Sequence, residues 1–552
     1  MKHPGLFSLI ASKAGKAKWG LALIMLSGIS GASLTQAAKE QNQSSNAILF
    51  QGFHWNSANG NWYKNLQTKS RDLKNLGVTH VWFPPPSNSA ARQGYLPREL
   101  NDLNSFYGTE LELRSAIASL RDQGITSVAD IVINHRVGSF GWGDFANPYW
   151  GCEAVVNDDE WPGACGGSPS GVNYHAARDI DHSQPGVQDS IKNWMKNRLQ
   201  RVGFNGWRYD FSKGYSPFYA RMYQEHTSSE FCVGEVWPNL DYNNVNAHRQ
   251  QMIDYVDGTG GQCGAFDFTT KGLLNKALGD NEYWRLRDSS SRPAGAIGWW
   301  PQKMVTFVDN HDTGPSQSCV SGQNHWPVPC NKVMQGYAYI LTHPGIPTVY
   351  YPHVYDWGLR DPIKALIDIR RQADLRSTSS ISIQRAEDGI YAAIVQGGKG
   401  KVAMKIGPGD WNPGAGWTLA SAGDQYAVWT QLAAVVKPDP VDPITCLTTA
   451  KFRIANADTA WGDGVYLVGN LAELGNWNPA LGLALKIEGT GANAVWTGSI
   501  ELPAGQAIEY KYVKWNGQRA IWEASGASGN REWVTSRSCG ERIRQDDGNF
   551  RR

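Results

Sequence analysis

The amino-acid sequence predicts an α/β protein: a closed (β/α)8 TIM barrel with an inserted subdomain after its third strand, a C-terminal β-sheet domain and an appended β-sandwich. Eight β-rich runs, with helically spaced segments between many of them, predict the barrel. One interval after the third run is too long for a plain connection, and alternating runs follow a Pro-rich stretch.

The elements follow in chain order. Lys2, Lys13, Lys16 and Lys18 accompany the apolar run "WGLALIMLSGISGASL" and the small-residue end "TQAA". That order reads as a secretory signal peptide, residues 1–37, cut near Ala37 or Ala38, so the chain is expected to be secreted. Gly and Ser interrupt the run, which is short for a membrane span, and no later segment is expected to cross a bilayer. The first part of the barrel, 38–135, holds "ILFQGF" (48–53), "VTHVWF" (78–83) and "SVADIVI" (127–133). From Arg136 to Val202 the chain spends 67 residues before the fourth strand, and 136–178 are expected to form the inserted subdomain.

The second part, 179–374, resumes with "VQDSIKNWMKNRL", where Val187, Ile191, Trp194 and Leu199 keep roughly helical spacing. It continues through "GFNGWRYDF" (203–211), "FCVGEVW" (231–237), "AFDF" (265–268), "MVTFVDN" (304–310) and "TVYY" (348–351). Short alternating runs such as "SISIQ" and "GIYAAIV" make 375–431 a small β-sheet domain. "KPDPVDP", inside 432–445, is a stiff linker, and "VYLVGN", "VWTGSIEL" and "IEYKYVKW" make 446–552 an antiparallel sandwich.

Composition narrows the function. The 552 residues include 24 Trp and 22 Tyr, more flat apolar surface than packing demands and suited to ligands with apolar faces, sugar rings among them. A net charge of +2 provides no strong field for nucleic acid or acidic membranes, and neither is expected as a partner. The eight cysteines contain no C-x-x-C pair, which argues against zinc, and their even number suits disulfides in an oxidising compartment. Neighbour pairing gives Cys152 with Cys165, Cys232 with Cys263, Cys319 with Cys330 and Cys446 with Cys539, although sequence alone leaves the connectivity open.

Polar residues gather where strands end: Asn134 with His135, Arg208 with Asp210, Glu235, and His311 with Asp312. Taken alone, "FVDNHD" (307–312) is a polar turn after a buried strand. Beside the other clusters it becomes one sector of a shared cleft, because the C-terminal strand ends of such barrels form the active face.

"DIVINH", "GFNGWRYDF", "GEVW" and "FVDNHD" occur in order and together resemble the four signature regions of the α-amylase family, family 13 of the glycoside hydrolases. "LFQGFHWNS", "GVTHVWFPPPS", "QGYLP" and "IGWWP" resemble its plant-type members more closely, over roughly 47–430. The tail, with "VYLVGNLAELGNW" and "LPAGQAIEYKYV", resembles a family 20 starch-binding module.

The resemblance implies a monomeric, calcium-dependent enzyme that hydrolyses internal α-1,4-glucosidic bonds of starch with retention. Asp210 would be the nucleophile, Glu235 the acid/base and Asp312 the third carboxylate. Arg208 would orient Asp210; His135, His311 and Lys213 would contact the sugar, and Tyr95 would stack beneath it. Asn134, Asp179 and the backbone carbonyl of Gly214 match the family's calcium positions, and Asn173 stands where plant enzymes have an acid. Asp158, Asp159 or backbone groups would complete the set. Trp477, Lys511, Trp522 and Asn530 match one starch site of the tail, Trp461 matches the aromatic of a second, and Trp299 with Trp300 matches a surface sugar site of plant enzymes. Two readings compete with an endo-acting amylase. One is a maltooligosaccharide-forming exo-amylase of the same fold; the other is a starch-binding protein without turnover.

Overall fold

The computed structural model describes residues 45–138, 142–432, 447–460, 462–489, 494–524, 529–536, 538 and 540–551. The expected leader, the linker from 433 onward, Trp461 and the Cys446–Cys539 pair lie outside the described residues. The chain divides into two compact units, 1–433 and 434–552.

In the first unit eight parallel strands close into a barrel: β1 (Leu49–Gln51), β2 (His80–Trp82), β3 (Thr126–Ile131), β4 (Gly206–Tyr209), β5 (Phe231–Gly234), β6 (Gly264–Phe266), β7 (Met304–Phe307) and β8 (Ile346–Tyr350). Every strand pairs with its sequence neighbours, and β8 closes on β1. Except for Thr126, these strand residues are buried, which is why they read as nearly unbroken apolar runs rather than alternating ones.

Eight longer helices alternate with the strands: α1 (Trp62–Leu76), α2 (Glu110–Asp122), α3 (Pro185–Asn193), α4 (Pro217–Thr227), α5 (Val245–Gly258), α6 (Phe268–Asp280), α7 (Val333–Thr342) and α8 (Arg360–Gln372). Their starts are chemically marked. Thr109 and Glu112 form a capping box on α2, Ser216 caps α4 ahead of Pro217, and Asp267 caps α6 by accepting from the Thr270 amide. That cap corrects the sequence reading of "AFDF" as strand to its end: Asp267 leaves the sheet to start a helix. α3 runs on through a π-helical turn, Trp194–Leu199, and Val187, Ile191, Trp194 and Leu199 are all buried as their spacing predicts.

The segment after β3 is pinched at its base by a short antiparallel ladder in which His135 lies opposite Asp179 and Arg136 opposite Arg178. Arg136 is buried and donates to the carbonyls of Arg98 and Pro148, while its guanidinium lies 4.5 Å from the Trp150 ring centroid. Disulfides join Cys152 to Cys165, Cys232 to Cys263 and Cys319 to Cys330, as neighbour pairing predicts.

Downstream, β9 (Ser380–Glu387), β10 (Ile390–Gly397), β11 (Gly400–Ile406), β12 (Thr418–Gly423) and β13 (Tyr426–Leu432) form a five-stranded antiparallel sheet in the order β9-β10-β11-β13-β12. The second unit is a β-sandwich. A four-stranded sheet built on Leu447–Ala455 and a second sheet built on Ala507–Trp515 enclose Phe452, Ile454, Leu467, Tyr510 and Tyr512. No helix among the described residues is long and apolar enough to cross a membrane.

Candidate active site

Arg208 lies on β4 and Asp210 directly follows that strand, so strand alternation turns both side chains to the same side. Arg208 is fully buried there. Its Nη1 is 2.8 Å from Asp130 Oδ1 and 2.6 Å from Asp210 Oδ1, and its Nη2 is 2.5 Å from Glu235 Oε1. The last pair is a charge contact without hydrogen-bond alignment, since neither atom finds an aligned partner among the described residues. Glu235 directly follows β5, and its Oε2 accepts from the Phe211 amide at 3.2 Å.

Asp312 follows β7. Its amide donates to Asn310 Oδ1 at 3.1 Å, and its Oδ2 is 3.3 Å from His311 Nε2. Gln51, the last residue of β1, donates through Nε2 to His311 Nδ1 at 3.0 Å. Tyr95 donates to Asp130 Oδ2 at 2.8 Å, and Trp82 Nε1 donates to the same oxygen at 3.0 Å. The Tyr95 ring stacks on His311 with centroids 5.1 Å apart, and on Trp55 at 6.4 Å. His135 meets the Tyr95 carbonyl at 2.8 Å through Nε2, which makes Nε2 the protonated nitrogen, and its ring lies 3.8 Å from that of Tyr174. Lys213 donates to the Trp237 carbonyl at 3.1 Å.

Three buried carboxylates, those of Asp130, Asp210 and Glu235, thus contact one guanidinium, and Asp312 stands near enough to feel its charge. One positive charge cannot hold four negative ones there, so the cluster retains protons. Burial pushes Asp130 up to about 7, against the pull of Arg208. Burial also raises Glu235, opposed by Arg208 and reinforced by the charge of Asp210. Asp210 rises through burial as well, but Arg208 counters it by both charge and hydrogen bond. Asp312 is driven well above the usual carboxylate range by burial and then by Glu235. Burial lowers His135 to about 4, and burial with Arg208 lowers His311 well below its ordinary value, so both rings are neutral at neutral pH.

The residues matched to calcium positions also converge. Asn134 Nδ2 lies 3.1 Å from Asp179 Oδ1, and a Cβ on Gly214 would fall 1.9 Å from Asn134 Oδ1, so the Gly214 backbone rests against that side chain. The Tyr174 amide donates to Asp179 Oδ2 at 2.8 Å, which brings Asn173 alongside, and Asn173 Oδ1 is buried without a partner among the described residues. An orphaned amide oxygen beside a buried carboxylate and a second amide oxygen is a donor set that fits a hard cation. Asp159 does not join it. Its carboxylate is taken by Arg178 and by the Asp179 amide, and Asp158 is exposed.

In the second unit Lys511 lies opposite Val468, and Trp522 lies opposite Val513. Strand alternation therefore puts Lys511 and Trp522 on one face, away from the core-facing Tyr510 and Tyr512. Asn530 donates to Glu509 on that same face at 2.9 Å, and Trp522 is 38% exposed. Trp477 ends the turn Ala472–Trp477 with φ +64°, half-buried. In the first unit Trp300 packs against the barrel core, while Trp299 carries the Arg249 guanidinium 4.1 Å above its ring.

Sequence reasoning missed Asp130, Trp55, Gln51 and Tyr174. Three of them stand in recognisable stretches, although nothing local marks their role. Asp130 interrupts the apolar run "SVADIVI", and Gln51 and Trp55 stand in "FQGFHW".

A barrel whose strand ends gather carboxylates, a buried arginine and stacked aromatic rings is constructed as a glycoside hydrolase. The comparisons agree. Residues 56–149 match the α-amylase catalytic domain, 372–430 the α-amylase C-terminal β-sheet domain and 447–544 a starch-binding domain. The chain is 44% identical over 398 residues to the probable α-amylase 2 of Arabidopsis thaliana, covering 69% of this chain and 93% of that protein. It is 32% identical to a glucan 1,4-α-maltotetraohydrolase of Stutzerimonas stutzeri, covering 86% of this chain and 90% of that one. A γ-cyclodextrin glucanotransferase structure from an alkalophilic Bacillus clarkii superposes with a TM-score of 0.52 at 16% identity, over 93% of this chain and 99% of that one, which shows the shared fold. The chain belongs to the α-amylase family.

Proposed function

We propose that this chain hydrolyses internal α-1,4-glucosidic bonds of starch with retention of configuration, as a secreted, calcium-dependent monomer that binds raw starch through its tail. The observation that carries the catalytic reading is the simultaneous contact of Arg208 with Asp210 and Glu235. Retention needs two carboxyl groups roughly 5–5.5 Å apart, and adjoining nitrogens of one guanidinium hold these two close together. Asp210, held by charge and hydrogen bond, attacks the anomeric carbon; Glu235, whose pKa burial raises, gives its proton to the leaving oxygen. Water, deprotonated by Glu235, then releases the sugar from Asp210. Asp312, the neutral His135 and His311, and Lys213 grip the sugar hydroxyls, with the Tyr95 ring beneath.

Asn134, Asp179, Gly214 and Asn173 would hold the calcium ion. When bound, the ion supplies a fixed positive charge that ties the segment after β3 to the barrel. Trp477, Lys511, Trp522 and Asn530 would bind starch on the tail. Trp461 would serve a second tail site, and Trp299 with Trp300 a site on the barrel. The apolar, Lys-flanked N-terminus and the disulfide-bonded cysteines support export.

Released reducing ends from soluble starch, with the anomeric form followed by NMR, test this reading. A mixed ladder of α-anomeric products is expected, and no released ends from calcium-replete protein would overturn it. The maltotetraohydrolase relative, which spans the tail as well as the barrel, keeps one rival in view. A single dominant oligomer early in digestion would favour that exo-acting reading over the one supported by the higher identity to a plant α-amylase.

A further inference from the structure

Outside the barrel, the first turns of α5 and the segment 284–294 enclose a cleft of about 250 Å³ that the active-site cluster does not use. Trp284 stands at this cleft 45% exposed. The Arg285 guanidinium, 4.3 Å from the Trp284 ring and 5.7 Å from the Tyr242 ring, braces both rings. Arg285 is itself tied to Glu282 at 2.5 Å, so the brace is fixed. Arg249 lines the cleft, buried; it donates to Asp288 Oδ2 at 3.1 Å and to the Pro293 carbonyl at 3.2 Å, and its Nε finds no acceptor among the described residues. Asn243, Asn244 and Asn246 supply amides at the wall.

The chemistry of this lining selects its ligand. Three guanidinium groups line the cleft: Arg249 is answered by Asp288 and Arg285 by Glu282, while Arg287 makes no salt bridge among the described residues and is left as a donor for hydroxyl oxygens. A braced indole next to asparagine amides and the Arg287 guanidinium suits a ring with one apolar face and a rim of hydroxyls. The volume falls below the ~300–1,000 Å³ of a site for a drug-sized ligand, enough for one or two sugar rings rather than a long chain. We propose that the Trp284 cleft is an additional glucan-binding site, distinct from the active site, that holds one or two glucosyl units against the Trp284 indole. It rests on the reading of starch as substrate and adds a point of attachment on the catalytic unit itself.

The test is local hydrogen exchange in the full chain carrying Glu235→Gln, which keeps the probe, maltoheptaose, intact. Slower exchange is expected in peptides spanning 242–249 and 283–289, lost in Trp284→Ala and retained in Trp284→Phe, which keeps a flat ring. Trp284→Ala in the otherwise unaltered enzyme should leave turnover of soluble starch unchanged. No protection of these peptides at saturating maltoheptaose, or protection that survives Trp284→Ala, overturns the proposal. These outcomes are separable from failure of the proposed function, which is read from reducing ends released by the unaltered protein.

Discussion

Asp130 and Arg208 form an ion pair at 2.8 Å in which neither side chain reaches solvent. Asp130 also accepts from Tyr95 and Trp82, so a single buried carboxylate fixes the guanidinium and two aromatic residues of the cleft together. We predict that Asp130→Asn folds but lowers kcat by about 10²-fold through misplacement of Arg208. KM for soluble starch should move far less. A kcat within twofold of the wild type would refute this positioning role.

Asp210→Asn and Glu235→Gln should each reduce turnover by about 10⁴-fold or more, because each carboxylate performs a step the other cannot. Starch binding and melting temperature should persist. Activity within tenfold of wild type in both variants, on contamination-free protein, would remove the assigned roles.

The raised pKa of Asp312 carries a sign that can be measured. Its folded state holds a proton that the unfolded chain gives up at ordinary carboxylate pH. Stability is therefore intact below that range and falls as pH rises toward the raised value, where the charge must exist beside those of Glu235 and Asp210. Asp312→Asn has no charge to bury, so its melting temperature relative to wild type should climb as pH increases, while its activity is lost. A pH-independent difference would contradict the sign.

Much of this was legible in the sequence, for a physical reason. Barrel strands buried on both faces must be apolar throughout, so their existence shows, whereas their ends depend on which polar group meets a partner, as Asp267 does when it caps α6. Asp210, Glu235 and Asp312 were recognisable because each sits in a short motif at a strand end. Asp130 was not, because its meaning lies in a partner 78 residues away. Trp55 likewise acquires a role only when the barrel closes and carries Tyr95 to it.

Calcium removal should lower the melting temperature as well as activity, since a ligand bound only by the folded state stabilises it by about 2.7 kcal/mol at a hundredfold excess over Kd. Asn173→Ala should shrink that loss. An unchanged melting temperature on chelation, with metal analysis confirming removal, would contradict the ligand set.

Deletion after about residue 436, or Trp477→Ala with Trp522→Ala, should depress attack on raw granules and spare soluble starch, because tethering raises effective concentration only at a solid surface. The ratio of the two activities is the measurement. An equal fall in both would make the tail a structural support instead.

The barrel is not equally tight around its circumference. β6 joins each neighbour by only two residue pairs; the Cys232–Cys263 bond rivets the β5 side, and on the β7 side the buried Lys271–Asp309 ion pair, at 2.7 Å, and the Asp267 amide on the Val305 carbonyl take its place. The seam between β6 and β7 is therefore held by charge where its counterpart is held by sulfur. Glu235 stands on one bank of that seam and Asp312 on the other. The spacing of these two carboxyl groups is thus guarded by a covalent bond on one flank and by a charge pair on the other.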